Sequence, residues 1–314
     1  MDLEAFIGAL PGGFAQGLMW GVLALGVYIS YKILDFADLT VDGSLATGGA
    51  VTAVLIEAGV SPWLSLLAAI AAGSVAGLIT ALLNTKLKIP AILSGILTMS
   101  ALYSVNLHIL SDRANVSVYG KTTVNNAVSA ITGLSVVDDK NYLSIITAVL
   151  ICTAIIAAMY WFFGTEQGSA IRATGNNPTM AKAQGISTDK SKMIALAMSN
   201  GLAALSGSLI AQHNFSADVN MASGTIVIGL AAVVIGELLC KDKNSFWVKL
   251  MCVVFGSVIY RLIFTVAVQL GLDTNDLKLI AAVIVVLALV VPRFIKERFP
   301  KKKNDSVKED AANA

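Results

Sequence analysis

Charged residues are scarce in this chain. Only 13% of its 314 residues are Asp, Glu, Lys or Arg, whereas soluble domains carry about 25%. Apolar residues make up 56% of the sequence, and the mean hydropathy is +0.76. This composition excludes an ordinary water-soluble globular protein. A net charge of only +2 gives no indication of nucleic-acid binding, so the surroundings that the sequence predicts are membrane lipid.

Residues and motifs of metal and catalytic chemistry are also few. Cys152, Cys240 and Cys252 lie in or beside apolar runs without CxxC or CxxH spacing, which indicates inert buried thiols. His108 and His213 are too far apart in sequence to predict a metal pair. The sequence has no Gly-x-x-x-x-Gly-Lys-Ser/Thr loop and no His-Glu-x-x-His motif. We therefore expect no metal, no cofactor and no catalytic residue, and any ATP hydrolysis must come from another chain.

Long apolar runs, in contrast, are abundant. A transmembrane helix needs about 20 apolar residues, and in lipid every backbone polar group must be satisfied within the protein. The sequence therefore predicts an all-α, polytopic transmembrane helical bundle in one domain, residues 1–299, with about nine spans (8–10). The predicted spans are 14–33, 40–57, 62–83, 91–110, 142–163, 192–212, 225–240, 247–269 and 276–292.

The two ends of the chain carry separate expectations. The segment Met1–Glu4 lacks the positive region of a signal peptide, so the first run is expected to remain as a span. The charged tail, 300–314, is predicted to be disordered and cytoplasmic.

Basic residues predict the orientation in the membrane. They concentrate in alternate connections, which places those connections in the cytoplasm and the N-terminus outside. The residues are Lys86, Lys88, Arg172, Lys182, Lys190, Lys192, Lys241, Lys243, Arg293, Lys296, Arg298, Lys301, Lys302 and Lys303.

Two short, glycine-rich runs begin alike. The segment 38–44 precedes the second run and 218–225 precedes the seventh; each has Asp, then mixed residues, then Gly with Ser or Thr. The orientation puts these starts on opposite faces. Paired, interrupted apolar segments in inverted halves indicate a transport pathway built on broken helices and inverted repeats. The alternative is a chance match between two Gly/Ser-rich helix starts.

A few residues near these starts are candidates for the pathway. Charges within spans are costly in lipid and usually face the bundle interior. Arg261 can pair with Asp42 or Glu237, or contact a substrate carboxylate. Asp42 can cap the helix that it begins, and small residues can simply pack. The pathway candidates are Asp42, Gly43, Ser44, Gly224, Thr225 and Arg261.

The longest basic connection contains a local helix signal. Asn177 followed by Pro178 is typical of a helix start, and Gly185 can end the helix in a left-handed conformation. A short helix at 179–184 is therefore predicted. It can be a rigid knob that docks into a groove of a partner protein, or part of an ordinary solvated loop.

The same connection carries a family resemblance. Residues 168–186 read Gly-x-Ala-Ile-Arg-Ala-x-Gly-x-Asn-Pro-x-x-Ala-x-x-x-Gly-Ile, and 199–207 read Ser-Asn-Gly-Leu-Ala-Ala-Leu-Ser-Gly. Over about 14–292 the chain resembles permease subunits of bacterial ABC importers, above all the branched-chain amino acid and ribose types. The 38–44 segment is similar to their Asp-Leu-Ser-Val-Gly-Ser. Its extra Asp42, with 89–99, resembles a less characterised subfamily linked to amino-acid uptake, including aromatic amino acids.

The resemblance implies the partners. Two permeases, as a homodimer, would form the pathway in the bacterial cell membrane, and a solute-binding protein would deliver a small-molecule substrate outside. Cytoplasmic ATPase subunits would dock on a coupling helix at 177–185. The coupling residues implied are Arg172, Gly175, Asn177, Pro178, Ala181 and Gly185. The alternative is an ion-coupled secondary transporter, which broken helices would also suit.

Overall fold

The computed structural model describes residues 3–133, 140–240 and 245–269, with isolated residues 279, 283 and 286. Helices dominate. In chain order the elements are α1 (Leu3–Val27) with a π-helical continuation (Tyr28–Ile33), α2 (Thr40–Glu57), α3 (Pro62–Thr85), α4 (Ala91–Ile109), β1 (Asn115–Ser117), α5 (Val124–Thr132), α6 (Lys140–Phe163), α7 (Glu166–Asn176), α8 (Pro178–Ala183), α9 (Thr188–Asn214), β2 (Ser216–Asp218), α10 (Thr225–Leu239) and α11 (Phe246–Gln269).

The predicted polytopic helical bundle is confirmed. Each of the first eight apolar runs forms a helix, because buried backbone in lipid has no partner except itself. Seven of them lie within a few residues of their predicted bounds, whereas the first helix begins at Leu3 instead of residue 14. Within the described ranges, six helices are long and apolar enough to span a membrane: α1 with its continuation, α3, α4, α6, α9 and α11. The predicted ninth span, 276–292, lies almost wholly outside the described residues, and the tail, 300–314, lies outside them altogether.

Two long helices form the centre of the bundle. In the most apolar stretches of α1 and α9, 83% and 72% of the residues are buried, against 28% in α4. α3 packs along α9, and α11 packs along α1 in the corresponding way. α3 and α11 thus have corresponding places against α9 and α1, and the repeat itself remains a prediction. α2 lies against α9, α3 and α4, while α10 lies against α11 and α1.

Small residues allow these helices to approach closely. A Cβ atom at Gly48 of α2 would collide with the backbone carbonyl of Ala204 in α9. A Cβ atom at Gly73 or Gly77 of α3 would collide with the α9 backbone at Asn200 or Leu196. The Gly-x-x-x-Gly pattern of α3 therefore serves helix packing.

The two ends of the bundle differ. At one end, here called the β end, β1 pairs antiparallel with β2, with Val116 opposite Ala217. The exposed side chains of Glu57 and Arg113 form an ion pair there at 2.8 Å, and the hydrogen bond to Glu57 raises the pKa of Arg113 above its ordinary value. At the opposite end, here called the α8 end, α7 and α8 lie beyond the long helices.

Candidate functional site

The starts of the two short helices meet inside the bundle. Asp42, in the first turn of α2, accepts hydrogen bonds from three groups at the start of α10. These are the backbone N–H groups of Gly224 (3.1 Å) and Ile226 (2.7 Å) and the hydroxyl of Thr225 (2.7 Å). A carboxylate there satisfies N–H groups that have no partner within their helix and complements the positive helix end.

This contact corrects two expectations. Asp42 does not cap its own helix, because its carboxylate accepts from the start of α10; before α2, Asp38 accepts from the Thr40 N–H at 2.9 Å in a local turn. The two helix starts also do not lie on opposite faces of the bundle; they touch. We call this contact the helix junction. Asp218 likewise accepts from the Asn220 N–H at 2.6 Å, so the repeated Asp makes the same local turn in both segments.

A buried polar network supports the helix junction from the α9 side. The second oxygen of Asp38 accepts from the Asn200 amide nitrogen at 2.6 Å, and the Asn200 oxygen accepts from the Ser44 hydroxyl at 2.7 Å. Asp38 is only 2% exposed. Since these polar groups satisfy one another, the network holds α2 against α9. Ser44, a pathway candidate, is fully buried in this network.

A cavity of about 510 Å³, lined by both polar and apolar residues, opens beside the helix junction, between α2, α4 and the segment before α10. Three pathway candidates from the sequence, Asp42, Gly43 and Gly224, line it. Asn106 and Tyr103 of α4 were missed, although a polar Asn within an apolar span is itself a signal of function. The lining residues are Asp42, Gly43, Ala46, Met99, Ser100, Tyr103, Asn106, Val219, Asn220, Ala222, Ser223 and Gly224.

Arg261 lies elsewhere. Its guanidinium donates to the side-chain oxygen of Gln16 in α1, and the distance from Nε to that oxygen is 2.9 Å. The guanidinium lies 4.7 Å from the ring centroid of Phe264. The expected pairing with Asp42 or Glu237 is therefore wrong: Asp42 caps α10, and Glu237 pairs with Lys32 at 2.8 Å. The structure places Arg261 in the packing between α1 and α11.

The short helix predicted after Asn177 is present as α8. The Asn177 side chain accepts from the Met180 N–H at 3.0 Å, Pro178 occupies the first turn, and Gly185 has a φ of 81°. Ala181 faces the bundle and is 3% exposed, whereas Met180 is 61% exposed. One side of α8 is thus anchored and the other is free to contact a second protein.

α7 seats this surface helix on the bundle. Thr165 begins α7 by accepting from the Gly168 N–H at 3.4 Å. Arg172 donates to the Phe163 carbonyl at 2.7 Å and stands 4.7 Å from the Phe246 ring centroid, while Gly175 packs directly on the Ile33 backbone. α7 therefore connects α8 to the helix ends at Ile33 and Phe246.

Among the described residues, no group of three or more His, Cys, Asp or Glu side chains lies close enough together to hold a metal ion. The buried ring of His213 bonds the Ser144 hydroxyl through Nδ1 at 2.9 Å.

A bundle of membrane helices with a cavity beside two helix starts is typical of transport proteins. Comparison with known families agrees: a model described as "Branched-chain amino acid transport system / permease component" matches residues 10–290. The chain belongs to this family of multi-pass membrane permeases, and it is a transport subunit.

Two relatives illustrate the range of the family. The chain is 39% identical over 275 residues to the "Tyrosine transport system permease protein" of Clostridioides difficile, covering 87% of this chain and 88% of the relative. It is 25% identical over 255 residues to the "Ribose import permease protein RbsC" of Escherichia coli, covering 81% and 76%. The solved structure "PsaBC from Streptococcus pneumoniae in complex with Fab" shares the fold, with a TM-score of 0.52, 15% identity and coverage of 98% and 99%.

Proposed function

We propose that this chain forms the translocation pathway of an ATP-driven importer whose substrate is an amino acid. The observation that carries the proposal is α8, a capped helix that exposes one face and is tied to α1 and α11 through α7. A helix of this kind can transmit force from a separate nucleotide-hydrolysing chain to the helices around the cavity.

The orientation follows from charge. Lys88, Lys182 and Lys192 line a groove beside α8, and basic connections remain in the cytoplasm. The α8 end is therefore proposed as the cytoplasmic end, and the N-terminus and the β end as external. A cytoplasmic ATPase would dock on α8, and a solute-binding protein would dock at the β end.

The amino-acid substrate is supported by the tyrosine transport relative, the nearer in identity of the two described above. An oligomer is also part of the proposal. A second copy of the chain would complete the pathway, because the cavity is bounded on one side by α4, whose outer face is exposed: Val105, which does not line the cavity, is 46% exposed.

The proposal is tested by co-expressing the chain with a candidate partner ATPase and reconstituting the complex. Gly185→Pro should leave membrane insertion and complex assembly intact but abolish substrate-stimulated ATP hydrolysis, because proline cannot adopt the positive φ that ends α8. Arg172→Glu should do the same by releasing α7 from the Phe163 carbonyl.

Thr153→Ala is the control, since Thr153 lies in α6, outside α7 and α8, and its hydroxyl bonds its own helix backbone, at Val149 (2.8 Å). It should behave like the unmodified chain. Normal stimulation in both Gly185→Pro and Arg172→Glu would contradict the coupling role. Uptake driven by an ion gradient, without an ATPase, would instead support a secondary transporter.

A further inference from the structure

One acceptor in the cavity has no partner. The side-chain oxygen of Asn106 makes no hydrogen bond, although Asn106 is 1% exposed and lines the cavity. Its amide nitrogen points toward the Gly43 carbonyl at 3.4 Å, so exchanging oxygen and nitrogen would bring two acceptors together. A buried acceptor without a donor is costly. A donor that reaches this oxygen, from a solute or from water, would satisfy it.

A carboxylate lines the same cavity as this acceptor. Asp42 adjoins Gly43, whose carbonyl the Asn106 side chain faces, and it lines the same cavity. Within the described ranges of the chain, its Oδ1 atom accepts two hydrogen bonds from α10 and its Oδ2 atom accepts one, from the Gly224 N–H. Since each carboxylate oxygen can accept about two hydrogen bonds, Oδ2 retains capacity for another donor.

The balance of charge in the cavity is one-sided. Among its described lining residues there is a carboxylate but no Lys, Arg or His. The chemistry that fits a carboxylate and a free amide oxygen in one cavity is a small cation with several N–H donors. The volume, about 510 Å³, lies within the range of small-molecule pockets, roughly 300–1,000 Å³, and Met99 and Tyr103 offer an apolar wall.

We propose that Asp42 and Asn106 form a subsite that binds the ammonium group of an amino-acid substrate as it crosses the bundle. The proposal deepens the proposed function and rests on it. It assigns recognition of the amino group to the permease itself, beyond the selection that a solute-binding protein makes. A sugar, which carries no cationic group, would not satisfy this pair.

The test measures binding to the purified full-length chain in nanodiscs, without a solute-binding protein. The probes are L-tyrosine, tyramine, which keeps the ammonium but lacks the carboxylate, and 3-(4-hydroxyphenyl)propionate, which lacks the ammonium. L-tyrosine and tyramine should bind at least about tenfold more tightly than the deaminated acid, because a hydrogen bond to a charged group is at stake.

Variants of α4 identify the residue. Asn106→Leu, which keeps the volume but removes the acceptor, should weaken L-tyrosine binding by about tenfold and leave the weak binding of the deaminated acid unchanged. Asn106→Asp restores an acceptor and should retain binding. Thr98→Val is the matched control, because Thr98 is buried in the same helix and its hydroxyl bonds only its own backbone, at Ser94.

Several results would overturn the proposal. Equal binding of L-tyrosine and the deaminated acid would do so, as would full binding by a folded Asn106→Leu chain. Saturable binding of Na⁺ alone, lost in Asn106→Leu, would assign the pair to a metal cation. If Asn106→Leu fails to fold, the comparison of the three ligands on the unmodified chain still decides. Absence of nucleotide-driven uptake would refute the proposed function by a separate measurement.

Discussion

The helix junction and α8 are both made by capped helix starts, yet they were accessible to sequence reasoning to very different degrees. Asn177 caps a helix three residues away, at Met180. Asp42 caps a helix that begins about 180 residues later in the chain, at Gly224. The first is a local signal that residue types and spacing reveal. The second exists only because α2 and α10 pack together, and residues that far apart in the chain cannot be paired from a short stretch of sequence.

The largest expected effect breaks the packing on which the helix junction depends. Gly48→Val should prevent stable folding, because the Cβ atom would collide with the Ala204 carbonyl and the backbone of α9 cannot yield cheaply. Monodisperse protein after size-exclusion chromatography in detergent is the measurement. Gly8→Val is the control, since nothing lies within 4 Å of a Cβ atom there. Equal yields of the two variants would show that α2 does not need this close approach.

A smaller effect is expected from the cap itself. Asp42→Asn keeps the size of the side chain but removes the charge at the start of α10, so it should lower the free energy of unfolding by about 1–2 kcal/mol. Thermal unfolding in detergent measures the change. Asp35→Asn, at an exposed position in the turn before α2, is the control and should leave the midpoint unchanged. If both variants melt alike, the Asp42 carboxylate does not stabilise α10.

The corresponding change in α8 should act only locally. Asn177→Ala removes the cap and should destabilise the short helix by about 1 kcal/mol. The global melting midpoint should not move, because α8 contributes one buried residue, Ala181, to the bundle. Hydrogen exchange of the α8 amides should become faster in Asn177→Ala and stay unchanged in Thr179→Ala. A lowered global midpoint would mean that α8 is part of the core.

The smallest effect is expected at the β end. Glu57→Gln removes the exposed ion pair with Arg113, and exposed pairs contribute little to stability. The melting midpoint should be the same in the variant and the unmodified chain, at low and at high salt. A clear, salt-dependent loss would show that this pair holds α2 against the connection that contains β1.

Elements without an apolar run were harder to predict. α7 was treated as loop, because its exposed polar surface carries no hydrophobic signal, although Thr165 caps it. The pairing of β1 with β2 was also missed. Each strand has three residues, and the two are joined only in the folded chain, as in the pair Asn115 and Asp218. Such short segments have no periodicity from which to infer a strand.

The candidate site was partly predictable for the same reason. Asp42, Gly43 and Gly224 were singled out by the repeated segments and do line the cavity. Arg261 was singled out as an intramembrane charge but bonds Gln16, because a charged side chain takes whichever acceptor the packing brings near. Asn106 was overlooked, although it supplies the unpartnered acceptor of the cavity.

The sequence by itself determined the helical spans and α8. Lipid leaves the backbone no partner but itself, so apolar runs had to be helices, and caps such as Asn177 act within one turn. Only the tertiary structure decided which residues face one another: Asp42 and α10, Arg261 and Gln16, Asn106 and the cavity. Those partners depend on how helices far apart in the chain pack together, and residue spacing does not predict this packing.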